Sequence, residues 1–168
     1  MKTKDLNTTI SHPHEKFMMA AIEIARTAIR AGDYPVGAVL VYQSEIISIQ
    51  HTRIQSLCDP TAHAEMLVIR EAVKKMTTSD LSGCFLYTTL EPCPMCTAAA
   101  IWAKLEGIVF GATTQDGIES IDRNRTDTHD WRQINIRSRD IIDQGEPKLK
   151  LFPEFMRSDC LELLRLRI

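Results

Sequence analysis

Apolar positions along this chain follow two rhythms in turn, and the alternation predicts its architecture. Phe17, Ala21, Ile24, Ala25, Ala28 and Ile29 share one face of a 3.6-residue repeat. That spacing predicts an amphipathic helix over residues 14–30, with Gly32 as its stop. Residues 36–42 form a short apolar run, and residues 45–50 read as its hairpin partner across Gln43-Ser44. A second helix is predicted over 61–76, with Asp59 or Thr61 as cap and Pro60 near its start. A buried strand follows over 84–90, then a helix over 94–104 with Pro94 in its first turn, then a strand over 107–110. Strands alternating with helices require crossover connections, so the sheet should carry helices on both faces.

The rhythm fails between residues 112 and 144. Residues 138–144 look helical and Gly145-Glu146-Pro147 looks like a turn. Residues 117–133 are polar and are compatible with a loop, a lid or a short helix. Irregular segments longer than about 12–15 residues are usually functional or disordered. We therefore expect 113–146 to be a divergent segment and 1–13 to be a flexible tail on one domain spanning 1–168.

Composition narrows the class. With 168 residues and 44% hydrophobic residues the chain can bury a single core. It has no apolar run near the roughly 20 residues of a membrane span, and its first residues lack the apolar centre of a secretory signal. The expected location is the cytoplasm. Five cysteines, an odd number, suit thiols and metal rather than a disulfide framework. The net charge of −2 is unlike the basic surface of most nucleic-acid binders. Basic residues cluster only locally, at Arg123-Asn124-Arg125, Arg137-Ser138-Arg139 and Arg165-Leu166-Arg167.

The chemistry is concentrated in two short motifs. Thr61-Ala62-His63-Ala64-Glu65 is answered thirty residues later by Glu91-Pro92-Cys93-Pro94-Met95-Cys96. Together they offer one imidazole and two thiols, with a carboxyl group beside them that is not needed as a ligand. Structural zinc is normally closed by four protein ligands, whereas catalytic zinc keeps three and leaves a place for water. His63, Cys93 and Cys96 are the candidate ligands of one Zn²⁺ per chain. Glu65 is the candidate proton shuttle. Cys58, Cys84 and Cys160 are expected to pack as small apolar groups.

A His-x-Glu followed by Pro-Cys-x-x-Cys is the signature of zinc nucleobase deaminases. In these motifs, and in Pro35-Val36-Gly37-Ala38-Val39, the chain resembles the cytidine deaminase-like superfamily. The resemblance lies with the branch of tRNA adenosine deaminases, guanine deaminases and yeast-type cytosine deaminases. It implies a three-layer α/β/α sandwich around a five-stranded mixed sheet, with a fifth strand over 148–152 and a last helix from 154 or 156 to 165. It also implies a homodimer, paired through helices beside the metal site, for which Met95, Ile101 and Trp102 could supply an apolar face.

Substrate recognition departs from the resemblance. An asparagine eleven residues before the zinc histidine reaches the base in those relatives, and Thr52 holds that position here. A hydroxyl is shorter than an amide and cannot make the same paired contacts. Val36, Thr52 and the neighbouring His51 are candidate substrate contacts, as are Asp122, as a reader of a purine edge, and Trp131, as a stacking or lid residue. The expected substrate is a free nucleobase, a nucleoside or a related small N-heterocycle. Adenosine in a tRNA anticodon is the alternative, disfavoured by charge, and a non-catalytic zinc-binding module is the outside possibility.

Overall fold

The computed structural model describes residues 11–124 and 133–166, with the side chains of 121–124 excluded. Helix α1 (Glu15–Arg30) is followed by the hairpin β1 (Gly37–Tyr42) and β2 (Glu45–His51), then a short α2 (Ile54–Leu57) and α3 (Ala64–Met76). Strand β3 (Phe85–Leu90), α4 (Pro94–Trp102), β4 (Gly107–Ala112), α5 (Thr114–Asn124), α6 (Ser138–Gln144), β5 (Lys150–Phe152) and α7 (Arg157–Leu163) complete the described chain. The five strands form one mixed sheet in the order β2-β1-β3-β4-β5. β1 runs antiparallel to β2 and β3, while β3, β4 and β5 are parallel. The expected sandwich is therefore the observed one: α1 and α7 cover one face, α3 and α4 the other, with α6 packed on α4.

Two glycines let α1 and α7 lie close to the sheet. A Cβ at Gly37 would collide with the α1 backbone at Ala21, and one at Gly111 would collide with the Cys160 thiol of α7. The core between the layers is filled by Phe17, Met18, Leu40, Leu86, Tyr87, Val68 and Ile108 among others. Cys84 and Cys160 are buried in it as expected, but Cys58 is exposed. Cys58 ends α2 in a left-handed conformation, φ 51°, where its side chain has no core to enter.

Register brings the functional edge together. Gly37 pairs with His51 and Ala38 pairs with Thr88. The entry to β1 therefore lies beside the exits from β2 and β3, and Val36, Thr52 and Leu90 meet at one edge. The Thr52 amide donates to the Val36 carbonyl at 2.9 Å, which closes that corner. Both motif-bearing connections, β2 to α3 and β3 to α4, start from it.

Three local features differ from the sequence reading. α3 starts at Ala64 with His63 as its cap residue, rather than at Thr61. Asp59 instead closes the preceding turn, accepting from the Thr61 amide at 2.8 Å and its hydroxyl at 2.7 Å. α2 was not anticipated. Its first amides are met by the buried Asp33, whose carboxylate accepts from Gln55 N at 2.6 Å and Ser56 N at 3.3 Å. The third difference is where the polar stretch after β4 begins: of the loop, lid or short helix considered, a helix is found, and it starts at Thr114 rather than Gly117. Thr113 and Asp116 cap α5 reciprocally: the Thr113 amide donates to Asp116 Oδ2 at 2.8 Å and the Asp116 amide to Thr113 Oγ1 at 3.2 Å.

Candidate active site

His63 and Cys93 both sit at helix N-termini, as the residue immediately outside the first turn. His63 caps α3 and Cys93 caps α4, each with extended backbone and neither using its side chain on the helix amides. Their donor atoms are thereby free to point away from the helix, while Cys96 and Glu65 project from the first turns. The His63 Nδ1 lies 3.7 Å from Cys93 Sγ and 3.6 Å from Cys96 Sγ, and the two sulfurs are 3.7 Å apart. Zinc bonds of about 2.3 Å to sulfur and 2.0–2.1 Å to nitrogen in a tetrahedron require about 3.8 Å between sulfurs and about 3.6 Å between sulfur and nitrogen. The three side chains fit that ion. Among the described residues no fourth His, Cys, Asp or Glu joins the cluster. An open tetrahedral corner distinguishes a catalytic from a structural zinc centre.

The thiols share their proton unequally. The hydrogen bond from Cys96 draws Cys93 down to about 4, against the opposing effect of burial. Cys96 is pushed upward by giving that bond and by its own burial. A divalent cation displaces such protons, because thiolate is the ligand form.

Glu65 is 3% exposed. Burial pushes its carboxyl above the ordinary range, while the charge of His63 opposes the rise and that of Cys93 adds to it. It faces the metal-binding side chains without being one of them. A carboxyl group two residues from a ligand would diverge on a continuous helix. Because His63 is extended and Glu65 is helical, the two converge.

These groups open onto a cavity of about 490 Å³, lined by Val36, Thr52, His63, Glu65, Leu90 and Cys93 together with Tyr34, Ile54, Gln55, Pro60, Glu91, Met95, Thr114, Gln133 and Ile134. Thr52 is 4% exposed and lines the cavity beside Val36. His51 is not among the lining residues; its Nδ1 lies 2.7 Å from the Thr52 carbonyl oxygen. The side chain of Asp122, and the whole of Trp131, fall outside the described residues. Tyr34 and Gln55, close in sequence to Val36 and Thr52, were not anticipated, and Gln133 reaches the cavity from a segment remote in sequence.

Glu91 ties the metal-binding turn to two later helices. Its buried carboxylate accepts from Arg137 Nε at 2.8 Å, Ser138 N at 3.0 Å, Ser138 Oγ at 2.9 Å and Thr114 N at 2.9 Å. Burial alone would raise its pKa, but these donors outweigh that and hold it below the ordinary carboxylate range. One side chain thus fastens the starts of α5 and α6 to the turn that carries Cys93.

Fold, donor set and motif spacing define a zinc-dependent deaminase-type centre. Residues 11–112 match the cytidine and deoxycytidylate deaminase zinc-binding region, and the chain belongs to that family. It is 47% identical over 98 residues to a tRNA-specific adenosine deaminase of Aquifex aeolicus, across 58% of this chain and 65% of that relative's length. A guanine deaminase of Bacillus subtilis is 39% identical over 108 residues, across 64% of this chain and 69% of its own. A solved structure from work on A-to-I editing by tRNA:A34 deaminases superposes with a TM-score of 0.72 at 29% identity, covering 89% of this chain and 99% of that one.

Proposed function

We propose that this protein is a hydrolytic deaminase that replaces the exocyclic amine of a nucleobase with a carbonyl and releases ammonia. The observation that carries this reading is the buried Glu65 beside a three-donor cluster on the wall of a cavity roomy enough for a base. Zinc held by His63, Cys93 and Cys96 would supply Lewis acidity, which brings the pKa of a water to about 7. The chain's own residues supply the rest. Glu65 takes a proton from the attacking water as a C–O bond forms at the amine-bearing carbon. It delivers that proton to the adjacent ring nitrogen, then carries the remaining proton of the new hydroxyl group to the amine, so that the carbonyl forms, the C–N bond breaks and ammonia departs. Burial suits Glu65 to this work, because it pushes the carboxyl above its ordinary range and so favours the form that holds a proton. The apolar Val36 and Leu90 wall the cavity and exclude bulk water from the ring.

Adenosine in a tRNA is the substrate these observations favour. Support comes from the likeness to the Aquifex aeolicus enzyme and from the superposition on the tRNA:A34 deaminase structure. The sequence alone put free bases first; similarity moves the tRNA reading ahead. A free purine base is the second reading, favoured by the guanine deaminase relative and by the net charge of −2. Ammonia release by the zinc-loaded protein, measured across bases, nucleosides and anticodon stem-loops, separates them. Release from none of these overturns the deaminase reading, and release from free bases alone overturns the tRNA reading.

The protein acts as a homodimer in this reading. Trp102 stands 85% exposed at the end of α4, the helix that carries Cys96, and a second copy would cover it. Trp102→Glu should convert the dimer to monomer in sedimentation experiments; a wild-type monomer overturns the assignment.

A further inference from the structure

One side chain that lines the cavity carries a buried polar atom whose needs the described residues leave unmet. Gln133 Oε1 is buried and has no hydrogen-bond partner among the described residues. Its side chain lines the same cavity as Glu65 and Cys93. A buried acceptor without a donor is costly, and native structures seldom keep one without a use for it.

The neighbouring helix makes room for this group. A Cβ at Gly117 of α5 would lie 2.6 Å from Gln133 Nε2, 3.2 Å from its Cδ and 3.3 Å from its Oε1. The heavy atoms nearest to such a methyl all belong to the Gln133 carboxamide. Glycine is a poor choice inside a helix, where alanine is favoured. The conformation of α5 does not need glycine there, but the position of the carboxamide does.

We propose that Gln133 is a specificity-determining residue of this site, its carboxamide oxygen accepting a hydrogen bond from an N–H group of the bound heterocycle. This rests on the deaminase reading and adds how the base is read. The product carries such an N–H on the ring nitrogen beside the new carbonyl, and a free purine keeps another on its five-membered ring before and after reaction. Thr52 stands where relatives use a longer amide, and its hydroxyl cannot offer the same reach. Gln133 brings a carboxamide to the cavity from another element.

The test uses products, so that it does not depend on turnover. Dissociation constants of hypoxanthine, 1-methylhypoxanthine and 9-methylhypoxanthine are measured by calorimetry on zinc-loaded wild-type, Gln133→Leu and Gly117→Ala proteins. Wild type should lose about 10-fold or more in affinity for one of the methylated bases, the loss expected when a buried acceptor goes unpaired. Both variants should lose most of that discrimination. Gly117→Ala guards against misfolding as the cause, since that protein should melt no lower than wild type. The inference is overturned if wild type does not discriminate, if it binds none of the bases, or if both variants keep the wild-type ratios. Ammonia release by wild type, measured separately, decides the deaminase reading. A protein that releases ammonia while its variants keep wild-type ratios would sink the role of Gln133 and leave that reading standing.

Discussion

His63 and Glu65 illustrate how one backbone choice creates a site. A histidine inside the helix would hold its ring on a different face from a carboxyl two residues later. Placed as the cap residue with ψ 150°, it swings toward Cys93 and Cys96 while Glu65 turns in from the first turn. In the proposed reaction, ligand and proton carrier are then separate groups with separate failures. Glu65→Gln keeps the size of the side chain and removes its ability to take a proton. That variant should retain one zinc per chain by metal analysis, while kcat falls by about 10²–10⁴-fold, the usual worth of general acid–base catalysis. Loss of zinc together with activity would place Glu65 among the ligands instead.

At the scale of elements, the reciprocal cap of α5 is also an anchor for α7. Asp116 accepts from Arg157 Nη2 at 2.6 Å and Nε at 2.9 Å, besides the Thr113 amide and hydroxyl. Burial would raise its carboxyl, yet the Arg157 and Thr113 bonds bring it down to about 2. A carboxylate depressed in the folded state stabilises the protein above its ordinary pKa and loses that contribution as pH falls through the folded value. Arg157 is well exposed, so screening leaves about 1–2 kcal/mol of the contribution. Asp116→Asn should therefore lower the unfolding free energy by that amount at pH 7, and the gap to wild type should close between about pH 4 and pH 2. Chemical denaturation across that range measures it; a gap independent of pH would show that the ion pair contributes nothing.

Elements are legible in the sequence to the degree that their causes are local. α1, α3 and α4 announce themselves by apolar spacing and helix punctuation, and β1 to β4 by short apolar runs. The metal set was readable because its ligands fall in two motifs of fixed spacing. α2 was hidden because Asp33, more than twenty residues earlier, meets its first amides. α5 was obscure because Thr114-Gln115-Asp116-Gly117 offers little apolar face. Gln133 could not be assigned to the cavity, because only the tertiary fold brings its segment to the edge where Val36, Thr52 and Leu90 meet.

For the molecule as a whole, the metal donors bridge two crossovers on the same side of the sheet. His63 precedes α3 and the thiols open α4, so an ion held by all three cross-links helices that otherwise meet by packing alone. Anything that binds the folded state and not the unfolded one raises apparent stability. Stripping zinc with a chelator should lower the melting temperature by several degrees, and restoring one equivalent should recover it. An unchanged transition in calorimetry, with zinc shown by metal analysis to be absent, would deny the ion any part in stability.

Charge bears on the substrate at this same scale. With a net charge of −2 the protein has no general attraction for a polyanion, so any tRNA must be held by local cations. Arg137 is committed to Glu91, and Arg157 to Asp116. Arg123, Arg125, Arg132 and Arg139 are the arginines of this region left for phosphates. About three phosphate contacts on a single-stranded loop give a slope near −2 in a plot of log affinity against log salt, well short of what a strongly basic binder shows. Binding of an anticodon stem-loop, titrated between about 50 and 200 mM salt, should follow that shallow slope. A slope near zero would mean that no backbone is gripped, and the substrate would then be a free base entering the cavity alone.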